Sequence, residues 1–220
     1  MSSLTVNSPG GGSDGQAGTG SGSTLKPYLR RKKSSLGETK VAVLGMSGVG
    51  KSALAVRFLT KRFIGEYDQS ADNKYKCTTT IEGESVTFEL LDTRSTNEDH
   101  GAHEDVLRWA DGFMLVYSVT SRHSFQVLAD LKRRVEEAKK TSHVPVIVVG
   151  NKADLAHYRE VTQDEGARLA VDLGCSFLEV SASEDVVRVT DAFHTLCREI
   201  IDFKRRSRTF LDRVFGLKKS

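Results

Sequence analysis

Cysteine is scarce: the chain has three, Cys77, Cys175 and Cys197, among 220 residues. Their number is odd and their spacing fits no metal-binding pattern, so a reduced, intracellular protein with partly buried thiols is expected. No apolar run approaches the ~18 residues of a membrane-spanning helix. The amino terminus is rich in glycine and serine rather than apolar, so no signal peptide is expected either. An excess of one charge is also missing. With 32 Lys and Arg against 29 Asp and Glu, the net charge is +3, and that balance alone does not indicate nucleic-acid binding. Apolar content is 38%, low on average, but the residues cluster in the middle, where they suffice for a core.

What is present is organised in three parts. Residues 1 to about 24, "MSSLTVNSPGGGSDGQAGTGSGST", have almost nothing to bury, and a basic cluster, "LRRKKSS", follows; together they predict a tail over 1–38. From 39 to 204, strand and helix patterns alternate. "KVAVLG" is a short buried strand, and Ser52 to Phe63 reads as a helix, with Leu54 and Phe58 four residues apart. Two strands near Tyr75–Ile81 and Ser85–Leu91 flank "EGE", a hairpin turn. "GFMLVYSV" and "VPVIVVG" are fully buried strands, and a helix between them carries Leu128, Leu131, Val135 and Ala138 on one face. Thr162 and Glu165 predict a capping box, and Gly174 a helix stop. "SFLEVSA" is the sixth strand. A last helix places Phe193, Leu196, Cys197, Ile200 and Ile201 on one stripe. One hairpin followed by βα repeats predicts an α/β fold: a six-stranded, mostly parallel sheet with one antiparallel edge strand and helices on both faces. Residues 205–220 form a basic carboxy-terminal tail.

The first strand runs into "GMSGVGKS", Gly45 to Ser52, which matches G-x-x-x-x-G-K-[ST] in its required setting between strand and helix. Gly48 and Gly50 let backbone N–H groups close around a phosphate, with Met46, Ser47 and Val49 completing the nest. The helix that follows, starting Lys51, Ser52, Ala53, adds its positive dipole end. Lys51 supplies a charge for the terminal phosphates, a catalytic as well as a binding role, and the Ser52 hydroxyl can ligate magnesium. The base is read elsewhere. In "GNKADL", the Asp154 carboxylate can accept from N1–H and the 2-amino group of guanine, donors that adenine does not offer in that arrangement. Asn151 would brace the phosphate loop, and the Lys152 stem would cover the ring. In "VSAS", Ser181 and Ala182 follow the sixth strand, and the Ala182 N–H can reach the guanine O6.

Taken together, "GMSGVGKS", "LLDT", "GNKAD" and "VSAS" resemble the Ras-like small GTPases, P-loop NTPases with a Ras-like G domain, over about Lys40 to Lys204. Within that superfamily, "GVGKSALAVRFLTKRFIGEYD" and "RWADGFMLVYSVTSRHSF" look closest to the branch of the Ras-related oestrogen-regulated growth inhibitor and its growth-inhibitor-like relatives. The resemblance implies GTP and GDP as ligands, Mg²⁺ as cofactor, and a signalling role through effectors and an exchange factor. It puts Phe63 beside the guanine and switch I, the effector-contacting segment, at Glu66 to Asp72. The family's magnesium-binding threonine falls on Ser70, which keeps the hydroxyl but lacks the methyl, and Gln69 stands where proline is usual. Asp92, at the end of its strand, aligns with the aspartate that steadies magnesium through water; a plain strand-end cap is the alternative.

Four further positions depart from that family. After Asp92 and Thr93 the family continues alanine, glycine, glutamine, whereas this chain has Arg94, Ser95 and Thr96. Ser95 keeps an N–H toward the γ-phosphate but restricts the backbone hinge. Thr96, a degenerate water-positioning site, is too short to orient the attacking water as glutamine does, and such a loss commonly costs ~10²–10³ in rate. Ser47 occupies a loop position where glycine makes room for an arginine finger worth roughly 10³–10⁵. Weak GTP hydrolysis and poor response to conventional activators are therefore expected. Arg94 could serve as an internal finger, but an arginine in a polar loop is more often solvated.

At the carboxy terminus, "FKRRSRTFLDRVFGLKKS" is basic, and Phe210, Leu211, Val214 and Phe215 share one helical face. This reads as a contact for an anionic membrane or a basic-helix-binding partner, or else as a solvated tail. The final "LKKS" holds no cysteine and position two is serine, so no lipid anchor is expected. The resulting expectation is a cytoplasmic monomer, partly nuclear or transiently at membranes, with no specific nucleic-acid partner. The rival expectation is a non-catalytic, GTP-locked binding module that sequesters effectors.

Overall fold

A computed structural model describes residues 38–63, 73–94, 100 and 102–214, with side chains up to Thr209. Six strands form one sheet: β1 (Thr39–Leu44), β2 (Asn73–Ile81), β3 (Glu84–Asp92), β4 (Gly112–Ser118), β5 (Val146–Asn151) and β6 (Ser176–Glu179). Their order is β2-β3-β1-β4-β5-β6. Every pairing is parallel except β2 with β3, so the antiparallel strand lies at an edge. The hairpin between them turns at Glu82 and Gly83, φ 52° and 81°. Positive φ at both central residues is what a two-residue type I′ turn requires.

Alternation within the strands decides which helices go where. Val41 and Val43 of β1 and Met114 and Val116 of β4 face α1 (Lys51–Thr60) and α6 (Val186–Val214). Ala42, Leu44, Phe113 and Leu115 face the other way, against α2 (Glu104–Trp109), α4 (Leu128–Lys139) and α5 (Gln163–Asp172). A short α3 (Arg122–Gln126) precedes α4. Both faces of β4 are covered, so all seven of its residues are buried and the strand reads as an unbroken apolar run. Phe58 of α1 stacks on Phe193 of α6 at 4.4 Å and on Phe88 of β3 at 5.4 Å, joining three elements at one point.

The cysteines are all free. Burial pushes the thiols up, to about 11 for Cys77 and Cys175 and about 12 for Cys197, so they pack as small apolar groups.

Several boundaries differ from those expected. Helix α1 stops at Thr60, three residues before Phe63, because Lys61 turns left-handed (φ 61°) and its N–H caps the Arg57 carbonyl. Helix α2 has too few residues to show a 3.6 period, and the sequence pattern passes over it. The sixth strand ends at Glu179, since Ser181 onward bonds within its own loop. The capping box at Thr162 and Glu165 is formed as expected, and Gly174 follows α5 at φ 64°. Helix α6 runs for 29 residues, about 43 Å, and crosses from 204 to 205 without a break. Among the described residues no helix is long and apolar enough to cross a membrane.

Candidate functional site

In an open parallel sheet, ligands bind outside the carboxyl ends of the strands, at the point where successive connections diverge to opposite faces. Here that point lies at the end of β1: α1 leads to one side of the sheet, and the connection after β3 returns over the other face to β4. The loop following β1 depends on glycine. A Cβ on Gly45 (φ 145°) would lie 2.2 Å from the Val116 carbonyl oxygen, and one on Gly50 (φ 96°) 2.3 Å from Asn151 Nδ2. The Gly45 N–H donates to the His100 carbonyl at 3.0 Å, which fastens the loop to the segment before α2. Lys51 opens α1, yet its side chain folds back across the loop and is buried. Its Nζ donates to the carbonyls of Gly45 (2.9 Å) and Met46 (3.0 Å). Ser47 and Gly48 are exposed on the crest, Val49 and Ala53 are buried beneath it, and Ser52 is half-buried in the first turn of α1.

Asn151, the last residue of β5, is buried and joins two loops. Its Nδ2 donates to the Val49 carbonyl at 2.9 Å, and its Oδ1 accepts from the Ala182 N–H at 3.2 Å. The Ala182 donor considered for a base oxygen is thus already aimed at Asn151, and a second acceptor would share it. Lys152 is left-handed (φ 66°) and its Nζ reaches the Gly48 carbonyl at 2.6 Å, laying its stem alongside the phosphate loop. Asp154 is exposed beyond it. Ser181 bonds Ser183 and the Glu184 N–H, shaping a tight turn at the start of α6. Phe63 is 47% exposed, a large apolar ring left open to solvent.

Behind these loops lies bracing that the sequence did not reveal. Arg159 and the buried Glu179 make a two-pronged pair at 2.7 and 3.0 Å, tying the segment after Asp154 to the end of β6. These residues are twenty apart and no motif marks them. The Tyr117 ring fills the slot left by Gly150 and Gly166, where either Cβ would meet its hydroxyl within 2.7 Å. Burial, then the nearby Glu179, pushes that phenol well above its ordinary range.

The other approach to β1 comes from β3. Asp92 pairs in register with Val43, two residues before Gly45, and is 3% exposed. Thr93, which "LLDT" contains but spacing arguments ignored, donates its hydroxyl to the Val43 carbonyl at 2.6 Å and pins the chain as it leaves the sheet. Arg94 is exposed. Ser70, the switch I segment from Glu66 to Asp72, Ser95 and Thr96 lie outside the described residues. Among the described residues no group of three or more His, Cys, Asp or Glu side chains is placed to hold a metal. The donors near the loop are instead a hydroxyl, Ser52, and one carboxylate, Asp92. Hard oxygen donors in such small number suit Mg²⁺, which takes its other ligands from phosphates and water.

A Ras family model matches residues 40–202, about three quarters of the chain. The chain belongs to the Ras family. Relatives include the bovine Ras-related and estrogen-regulated growth inhibitor, 49% identical over 163 residues that cover 74% of this chain and 81% of that protein. The human form is 48% identical over the same shares. The mouse Ras-like protein family member 11B is 43% identical over 180 residues, 77% of this chain and 71% of that one. Membership of the Ras family carries the coarse function with it, a GTP-binding signalling protein of the small-GTPase type.

Proposed function

We propose that this chain binds GTP and GDP with Mg²⁺ and hydrolyses GTP slowly. The observation that carries the reading is the Asn151 amide, which holds the phosphate loop through Val49 and the candidate base loop through Ala182 at once. A nucleoside polyphosphate spans such a pair of loops, and a smaller anion would need only one. Phosphates lie on the N–H groups of Gly45 to Ala53, with Lys51 placing its charge at their terminal end. Asp154 selects guanine, Lys152 and Phe63 flank the base, and Ser181 and Ala182 close over its O6 side. Ser52, Ser70 and, through water, Asp92 would hold Mg²⁺, which supplies positive charge that offsets the phosphate oxygens.

Hydrolysis is slow because Ser95 and Thr96 replace the hinge glycine and the water-positioning glutamine, which together lower the rate by ~10²–10³ or more. The protein signals as a monomer, through effectors at Glu66 to Asp72 and with nucleotide exchange assisted by a second protein. It resides in the cytoplasm, with a share in the nucleus or transiently at anionic membranes through its basic carboxy terminus. The departures at Ser47, Ser95 and Thr96 also favour a second reading, a module locked with GTP that sequesters effectors. Nucleotide identity decides the first point. The purified full chain, denatured and chromatographed, should release guanine nucleotide, and chelation of Mg²⁺ should hasten its loss. Adenine nucleotide in the eluate would overturn the base assignment. GTP that persists for hours would favour the locked module.

A further inference from the structure

We propose that Arg57 is a positioning residue for guanine binding, acting on the Ser181–Ser183 loop from the side of α1; the proposal rests on the guanine-nucleotide reading above. Arg57 is half-buried on α1, and its Nη2 donates to the Ser183 carbonyl at 3.1 Å, across 126 residues of sequence. Its Nε is buried and finds no acceptor among the described residues. A buried guanidinium N–H without a partner is unfavourable, and a methionine would fill the same stem volume without that cost. Packing therefore gives no reason for arginine here, whereas the reach to Ser183 does.

The backbone of the same residue does a second job. The Arg57 carbonyl accepts the Lys61 N–H at 2.9 Å, and that bond ends α1 three residues before Phe63. One residue thus sets both the point from which Phe63 departs and the position of the loop that carries Ala182. Among the described residues, the side chains that reach the backbone of residues 181–183 from outside the loop are those of Asn151 and Arg57. Asn151 fixes the end of the loop nearest the sheet, and Arg57 fixes the end entering α6. Because α1 also begins at the phosphate loop, a shift of α1 is transmitted through Arg57 to the base loop. Lys61, whose Nζ donates to Thr190 Oγ1 at 3.1 Å, holds the same two helices together without touching the loop.

The test uses the full chain and a ribose-labelled fluorescent GDP, with Arg57→Met, Arg57→Gln and Arg57→Lys compared. Loss of one hydrogen bond from a charged donor should speed GDP release roughly 10-fold in the Met and Gln variants. The preference for GDP over ADP should shrink by a similar factor. Lysine, which can still reach the carbonyl, should restore most of both. The thermal midpoint of the nucleotide-free Met variant should be unchanged or higher, since a buried unpaired N–H is removed. Release at the wild-type rate in both Met and Gln variants would overturn the proposal. So would faster release with an unaltered GDP-to-ADP preference, because a mere prop for α1 gives that result. A wild-type chain that itself prefers ADP would instead bring down the guanine reading, and this proposal with it.

Discussion

At the end of the site proposed to take the base, Asn151, Lys152 and the Arg159–Glu179 pair knit three loops into one braced corner. At the other end, β3 delivers a buried Asp92 and a pinned Thr93, and then hands over to an exposed Arg94. The first corner holds the residues to which the proposed function gives nucleotide recognition, each hydrogen-bonded in place. The second keeps the strand-end carboxylate but has changed the residues that follow it. Under the proposed function, binding and hydrolysis therefore rest on different parts of the site, so that one can be weakened while the other stays intact.

The comparison is broken most severely at Gly45. Replacement by alanine puts a methyl 2.2 Å from the Val116 carbonyl oxygen, in a backbone region L-residues rarely adopt. A cost on the order of 3 kcal/mol or more is expected. Calorimetry should show a large drop in thermal midpoint and no retained nucleotide. Removing the brace at Asn151 is the next step down. Asn151→Ala leaves the Val49 carbonyl and the Ala182 N–H unpaired in a buried place. At about 1–3 kcal/mol each, GDP affinity should fall roughly 10²-fold or more, measurable by titration with a fluorescent nucleotide.

A smaller effect sharpens the contrast by acting on the scaffold alone. Hydrogen bonds from Arg122 and then from Thr162 hold the Glu165 carboxyl at about 2, below the ordinary value. Because the folded value is depressed, the stabilisation is present above the unfolded value and is lost as pH falls from about 5 toward 2. Thermal midpoints over that range should decline more steeply for the wild type than for Glu165→Gln, and the two curves should converge near the acid end. Parallel curves would show that ionisation of the Glu165 carboxyl contributes nothing to stability.

Much of this was legible in the residues. Strand alternation, the capping box and the glycine-rich turn are local patterns, and the structure forms each where the pattern lies. The boundary at Thr60 was not legible, because a left-handed lysine can end a helix without any glycine or proline to announce it. Helix α2 escaped because six residues cannot display a period. The motifs placed Asn151 and Lys51, yet Arg57, Thr93, Arg159 and Glu179 became visible only when the fold brought distant segments together. Their partners lie 20 to 126 residues away, and hydrogen bonds of that span leave no spacing rule behind.

Single-turnover phosphate release from the GTP-loaded full chain, compared with the double variant Ser95→Gly, Thr96→Gln, tests the separation of binding from hydrolysis most directly. Both proteins should hold guanine nucleotide with similar affinity, and the variant should release phosphate ~10²–10³ times faster. Equal rates, or a variant that gains speed only by losing its nucleotide, would contradict the account.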